Sequence, residues 1–193
     1  EKKTNGLIYS GIYNSIGGVN QLNEFNTSES ITKDVNPSYG PIRALKSRDT
    51  NLVTFCEDKV LQIYANKDAL FNADGSSNLV SSNQVLGSTK AFAGDYGIGS
   101  SPESLAVDGY RMYFVDKHRN KVLRLSQDGL TIISDIGMKK FFRDNLRNCQ
   151  AVIGTFDDVK GDYNVTIRYK DYGPTQSYLN KPGKTATFNE RNK

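Results

Sequence analysis

The chain has 193 residues, a formal net charge of +4, 37% hydrophobic and 24% charged residues, and no Trp among its aromatic side chains. A length of this order can bury a core without staples, and the basic excess is too mild and too scattered for the clustered stripe that a nucleic-acid interface requires. No stretch reaches the roughly 18 apolar residues of a membrane helix.

Residues 1–38 show little periodicity and read as an irregular N-terminal arm, with one short strand expected near Leu7–Tyr9 and Ile12–Tyr13. The punctuation Pro37-Ser38-Tyr39-Gly40-Pro41 closes it. Residues 39–193 read as one β-rich segment of a longer protein. Its first unit, near 42–67, has strands at Ile42–Leu45, Asn51–Cys56 and Lys59–Ala65. An insertion follows at 68–101, with a helical turn expected at Asp68–Phe71, loops at Asn72–Asn78 and Ser81–Asn83, and a strand near Ala91–Phe92. Asn72–Gly75 weakly resembles a calcium loop but lacks its closing Glu. Gly94-Asp95-Tyr96-Gly97-Ile98-Gly99 is no phosphate cradle, because no helix and no Lys-Ser/Thr follow it.

The clearest unit spans 102–135. Strand runs at Ser104–Val107, Tyr110–Val115, Lys121–Ser126 and Leu130–Ser134 are separated by Asp108-Gly109, by the polar corner Asp116–Asn120 and by Asp128-Gly129. Asp-Gly predicts type I′ hairpins, so the stretch reads as an antiparallel four-strand meander, the unit of a β-propeller blade. The first unit repeats it. Lys59-Val60-Leu61-Gln62-Ile63 matches Lys121-Val122-Leu123-Arg124-Leu125, and Leu52–Phe55 matches Met112–Val115. Such self-similarity is the signature of repeat architectures.

The stretch 137–148 predicts a short amphipathic helix, with Met138, Phe141, Phe142 and Leu146 on one stripe and Lys139, Lys140, Arg143, Asp144 and Arg147 opposite. A third unit, near 150–188, has strands at Val152–Phe156, Asn164–Tyr169 and Thr185–Phe188 and reads as a blade lacking its last strand. The fold expected is therefore mainly β, with antiparallel four-strand meanders of propeller type, partial in this chain, and one short helix.

Candidates for chemistry are few. His118 is the only histidine and sits in a polar corner, with no Ser in a nucleophile elbow. The acids Glu57, Asp58, Asp95, Glu103, Asp157 and Asp158 could in principle form a glycosidase pair, but each lies beside a turn, where such residues serve the backbone. Cys56 and Cys149 form no zinc motif and read as reduced thiols in a reducing cytosol. Tyr96, Tyr110 and Tyr113 are the candidates for stacking on a sugar. No catalytic, cofactor-binding or metal-ligating residue is assigned, no cofactor is expected, and the chain is read as no enzyme.

Two resemblances add to this. Pro102–Asp108, Met112–Asp116 and Asn120–Leu125 resemble a propeller blade of the NHL type. Over about 39–169 the chain resembles the muzzle, or tail-nozzle, proteins of crAss-like short-tailed phages. The residues that carry this include Tyr39-Gly40-Pro41-Ile42-Arg43-Ala44-Leu45, Ala65–Gly75, Gly94–Ile98, Leu125–Leu130 and Phe142-Arg143-Asp144-Asn145-Leu146. The resemblance implies a virion structural protein, assembled in the bacterial host cytoplasm, that forms a ring with copies of itself and closes the genome-exit channel of the tail. A hexamer is the stoichiometry it suggests. Other tail and portal-proximal proteins would be its partners, with the host surface as a further contact, and genomic DNA would pass without sequence-specific binding. It carries over no catalytic residue. The alternative expectation is a propeller-type module that binds carbohydrate or a receptor. Family members are longer, so both ends of this chain read as positions inside a longer polypeptide.

Overall fold

The computed structural model describes residues 2–11, 13–14, 16–28, 30–71, 77–169 and 183–190. The chain is mainly β, with antiparallel sheets and one α-helix. It divides into two compact units, Glu1–Cys56 with Val60–Ala91, and Glu57–Lys59 with Phe92–Lys193.

In the first unit, β1 (Gly6–Ile8) pairs with β4 (Thr32–Asp34), and β2 (Tyr13–Asn14) with β3 (Val19–Asn20). Residues 1–38, expected to be irregular, thus carry two short ladders. Backbone bonds from Val35 N to Asn5 O and from Ile42 N to Thr4 O tie the segment to the strand that follows. Strands β5 (Ile42–Arg48), β6 (Asn51–Cys56), β7 (Val60–Phe71) and β8 (Ser77–Ala91) form a four-stranded meander. Its core joins Val35, Cys56, Leu61 and Ile63, with Leu7, Ile42 and Leu86 packed at the margin.

The segment Asp68–Phe71 is strand and not a helical turn, and 77–78 and 81–83 are strand where loops were expected; the strand expected near Ala91–Phe92 is the end of β8. The cause is pairing: Asp68 to Phe71 lie opposite Val80 to Ser77, so the ladder of the meander extends outward as a long hairpin. Local Ser and Asn content argues for loop, but pairing with the partner strand meets the backbone hydrogen bonds of these residues in the extended form. The calcium-loop resemblance at 72–75 lies outside the described residues.

The second unit holds the second meander, β9 (Ala106–Asp108), β10 (Arg111–Asp116), β11 (Lys121–Ser126) and β12 (Gly129–Ile132). Both expected Asp-Gly turns are displaced by one residue. Asp108 pairs with Arg111, so Gly109 and Tyr110 are the central residues and only Gly109 takes a positive φ, +54°. Ser126 pairs with Gly129, so Gln127 and Asp128 are central and the positive φ, +103°, falls on Gly129 behind them. One left-handed position per turn suffices, and Gly supplies it without a Cβ clash.

The repeat read from the sequence is structural. Phe55 pairs with Val60 as Val115 pairs with Val122; Thr54 with Leu61 as Phe114 with Leu123; Val53 with Gln62 as Tyr113 with Arg124; Leu52 with Ile63 as Met112 with Leu125. A one-residue slip would turn every side chain to the other face, so the matched pairs give the two meanders one register. Among the described residues no sheet closes into a barrel or a propeller.

A third, three-stranded antiparallel sheet comprises β13 (Ala151–Asp157), β14 (Asp162–Arg168) and β15 (Lys184–Asn189). Between it and the second meander lies a core of Tyr113, Val115, Val122, Val152, Tyr163 and Val165, closed by Phe142 and Leu146 of the helix. The helix α1 (Lys139–Leu146) is shorter than 137–148, and Met138, placed on the apolar stripe by its spacing, is an exposed N-cap residue. Eight residues are too few to be stable alone in water, so burial of Phe142 and Leu146 supplies the stability.

Both cysteines are free and buried. Burial pushes the Cys56 thiol up to about 11 and raises Cys149 as well. It also raises Tyr163, and Tyr113, whose hydroxyl also donates to the Glu190 carboxylate. Each group stays neutral in the folded chain at a pH where the unfolded chain ionises it, so the stability is intact below the unfolded values and declines as pH rises through the folded ones. For Cys56 the window runs from 9.0 to about 11. Urea midpoints measured at pH 7, 9 and 10.5 should therefore hold at the first step and drop at the second. Cys56→Val should reduce that drop. A flat profile would contradict this account.

Candidate functional site

Two of the acids singled out as possible chemistry, Asp58 and Asp95, lie in the second unit beside the corner between β10 and β11. Asp116 ends β10 with no exposed surface. Its Oδ1 accepts from Arg119 N at 3.0 Å, and its Oδ2 accepts from Gly97 N at 3.2 Å and Arg119 Nη1 at 3.0 Å. A buried carboxylate is tolerated when paired and hydrogen-bonded in this way. The Arg119 guanidinium reaches on to Asp58 Oδ1, 3.1 Å from both Nη1 and Nη2. Burial by itself would lower the Arg119 pKa, but Asp116 and Asp58 outweigh it and hold the group above its ordinary value.

Beside it, Lys59 Nζ donates to Gly94 O at 2.8 Å and to Asp95 Oδ1 at 2.9 Å. The bond from Lys59, together with its charge, draws the Asp95 carboxyl below its usual range. The glycines here exist for close approach. A Cβ on Gly97 would stand 2.2 Å from Glu57 O, and Gly99 N donates to that same oxygen at 3.0 Å. Backbone and ion pairs together clamp Gly94–Gly99 against two tight corners.

A second convergence lies where β13 crosses the 3-10 turn Pro102–Ser104. Ser104 is fully buried; its Oγ donates to Ser101 O at 2.7 Å and accepts from Val115 N at 3.0 Å. Tyr163 Oη donates to Ser104 O at 2.6 Å. Gly154 lies against this point, and a Cβ there would be 2.0 Å from Ser104 O. Tyr113 stacks on Tyr163 at 5.0 Å and on Phe156 at 5.4 Å between ring centroids. Each such pair adds about 0.5–1.5 kcal/mol beyond its buried area. Its hydroxyl donates to Glu190 Oε1 at 2.8 Å, and Arg124 Nη1 grips both Glu190 oxygens at 2.8 and 2.9 Å.

The other candidates disperse. His118 is exposed at the turn that Asp116 and Arg119 brace. Glu103 is exposed on the 3-10 turn. Asp157 Oδ1 accepts from Val159 N and Lys160 N at 3.1 Å, and Asp158 is exposed in the same turn. The Asp157 carboxylate therefore serves the turn in which Asp158 is exposed. Among the described residues, no group of three or more His, Cys, Asp or Glu could hold a metal ion. Tyr113, named as a stacking platform, is wholly buried and belongs to the core. Tyr110 is 42% exposed, with the Arg111 guanidinium 5.0 Å above its ring.

Sequence reasoning missed Gly154, Ser104 and Glu190. Glu190 reads as part of a charged terminal run, and its partners lie 66 and 77 residues away. No local pattern encodes such a pairing. The paired carboxylates, engaged hydroxyls and close-approach glycines hold both convergences in place. Comparison with protein-family models and with curated proteins finds no match to this chain.

Proposed function

We propose that the chain is a structural part of a phage tail, of the muzzle or nozzle kind, in which propeller-type β-meanders pack into a ring around the genome-exit channel. The observation that supports this reading best is the shared register of the two meanders, four cross-strand pairs matched one for one. A repeated rigid unit braced by ion pairs and backbone clamps suits a load-bearing wall. The reading itself originates in the residue-level resemblance over 39–169, and the mechanism it supplies is mechanical: no bond is made or broken.

Wedge-shaped repeat units join through heterologous interfaces, which close into rings when the rotation per subunit allows it. Purified chain analysed by sedimentation and negative-stain microscopy should form closed rings, with a sixfold ring as the expected form. A strict monomer at high concentration would sink the proposal.

A second reading is a propeller-type module that binds carbohydrate or a receptor. It is favoured by Tyr110, exposed at a hairpin tip under a guanidinium. Glycan-array binding lost on Tyr110→Ala would support that reading, and an array without hits would remove it.

A further inference from the structure

We propose that the exposed basic face of α1 docks on the acidic strand turns at the opposite end of the second unit in a neighbouring copy of this chain. The inference rests on the ring reading and names the surfaces that join its copies. Residues 137–150 hold four basic side chains and one acidic one, a net +3 out of the chain's +4. Lys139, Lys140, Arg143 and Arg147 are all exposed, and at 3.6 residues per turn they fall within an arc of about 100°. Arg147 keeps helical dihedrals at the C-cap, so it continues the same face. Arg168 and Lys184, both exposed, end strands beside the helix. Tyr169, next to Arg168, and Lys184 both donate to Asn145 Oδ1, at 2.6 and 2.9 Å.

The unit spends its other cations differently. Lys59, Arg111, Arg119, Lys121 and Arg124 are each ion-paired within it. Lys139, Lys140, Arg147 and Arg168 have no ion-pair partner among the described residues. Lys139 and Lys140 also occupy the first turn, where the helix dipole is positive, with no acidic residue to offset them. They weaken the helix they sit on, so the charge that balances them comes from outside the unit. Its own far end carries that charge. The seven residues of β13 span about 20 Å from the helix side to the turn at 157–162, which sets Asp157, Asp158 and Asp162 against Lys160 alone. The β11–β12 turn, with exposed Asp128, lies at this end too: Arg124 binds Glu190, whose neighbour Asn189 donates to Lys160 O at 3.2 Å. Opposite signs at opposite ends let α1 of one copy meet the turns of the next, the heterologous contact from which a ring closes. Complementary patches of this kind steer association and fix its register.

The test reverses each surface in turn and follows self-association of the full chain by sedimentation. Lys139→Glu with Lys140→Glu reverses the helix face, and Asp128→Lys with Asp158→Lys reverses the turns. Each pair should raise the Kd between copies at least about tenfold, because like charges then face each other, with the circular dichroism spectrum unchanged. All four changes in one chain should restore association. So should an equimolar mixture of the two paired variants, since each offers the sign that the other lacks. Association untouched by either pair would overturn the proposal and leave the ring reading standing if rings still form. Failure of both the fourfold variant and the mixture to recover would also overturn it. A parent chain that never associates would remove both readings. Random-sequence duplex DNA is the competing occupant. Duplex binding that is lost with Lys139→Glu and Lys140→Glu while self-association is unchanged would assign the face to phosphate and overturn the contact between copies.

Discussion

Gly154→Ala is expected to cost about 3 kcal/mol or more, the upper range for forcing atoms into a packed interior, although it adds a single methyl group. The residue lies within β13, and its backbone conformation is not a left-handed one, so the loss is steric. The new Cβ would stand 2.0 Å from Ser104 O and 2.7 Å from Tyr163 Oη. A tyrosine can retreat, whereas the Ser104 carbonyl is fixed by the turn whose side chain also holds Val115 N. Strand and turn must therefore part, and the bond from Tyr163 to Ser104 parts with them. Urea denaturation would show a large fall in midpoint. Tyr163→Phe alone should cost about 1–2 kcal/mol, for a buried carbonyl left without its donor. The double substitution should fall short of the sum, since both act on one contact. A Gly154→Ala midpoint within error of the parent would refute the clamp.

Asp116→Ala carries the second large effect, and its size follows from a comparison with Asp58. Both carboxylates bind Arg119, at 3.0 and 3.1 Å. The Asp58 side chain is 46% exposed and that of Asp116 is 0% exposed. Removing a half-exposed partner forfeits about 0.2–1 kcal/mol, because water screens the pair and replaces it. Removing the buried one strands Gly97 N and Arg119 N as well as one side of the guanidinium. Losses of this kind run to about 3–5 kcal/mol, and the solvent access that Arg119 retains places the expected value near the lower end. Chemical denaturation of the two single variants decides the matter. Equal small losses would mean that the corner is ornamental, and that the brace on Gly94–Gly99 comes from the Gly97 contact alone.

The strands of the second meander were legible because each short apolar run was bounded by turn residues. The interiors of β10 and β11 lie where the alternation put them, while the hairpin ends moved by one residue. That shift reflects a choice the Asp-Gly pair leaves open: which of its positions carries the left-handed φ depends on the register that the flanking strands adopt. The long hairpin of β7 and β8 was illegible for the opposite reason. Its Ser- and Asn-rich residues have weak strand preference, and only the partner strand, invisible in a local window, makes them extended.

The candidate site divides in the same way. Asp116 and its turn could be recognised as a corner, and Asp58 as the matching corner of the repeat. That the two would meet on one guanidinium depends on residues 61 positions apart. Gly154 shows no feature of a turn, since it lies inside a strand where Gly is unfavourable; its necessity exists only because Ser104 O passes within reach.

What the sequence determined by itself was therefore everything with a short period: the alternation that makes strands, the turns that make meanders, the stripe that makes α1, and the repetition that gives two meanders one register. The tertiary structure alone decided which polar residues would be spent. Asp116 reads in the sequence as a corner residue, Ser104 as a strand end and Glu190 as part of a charged run; folding spends each of them, with Tyr163, in a contact with a distant partner. The reason is physical: alternation and turn preference act between neighbours in the chain, whereas burial obliges polar groups to find partners wherever packing brings them.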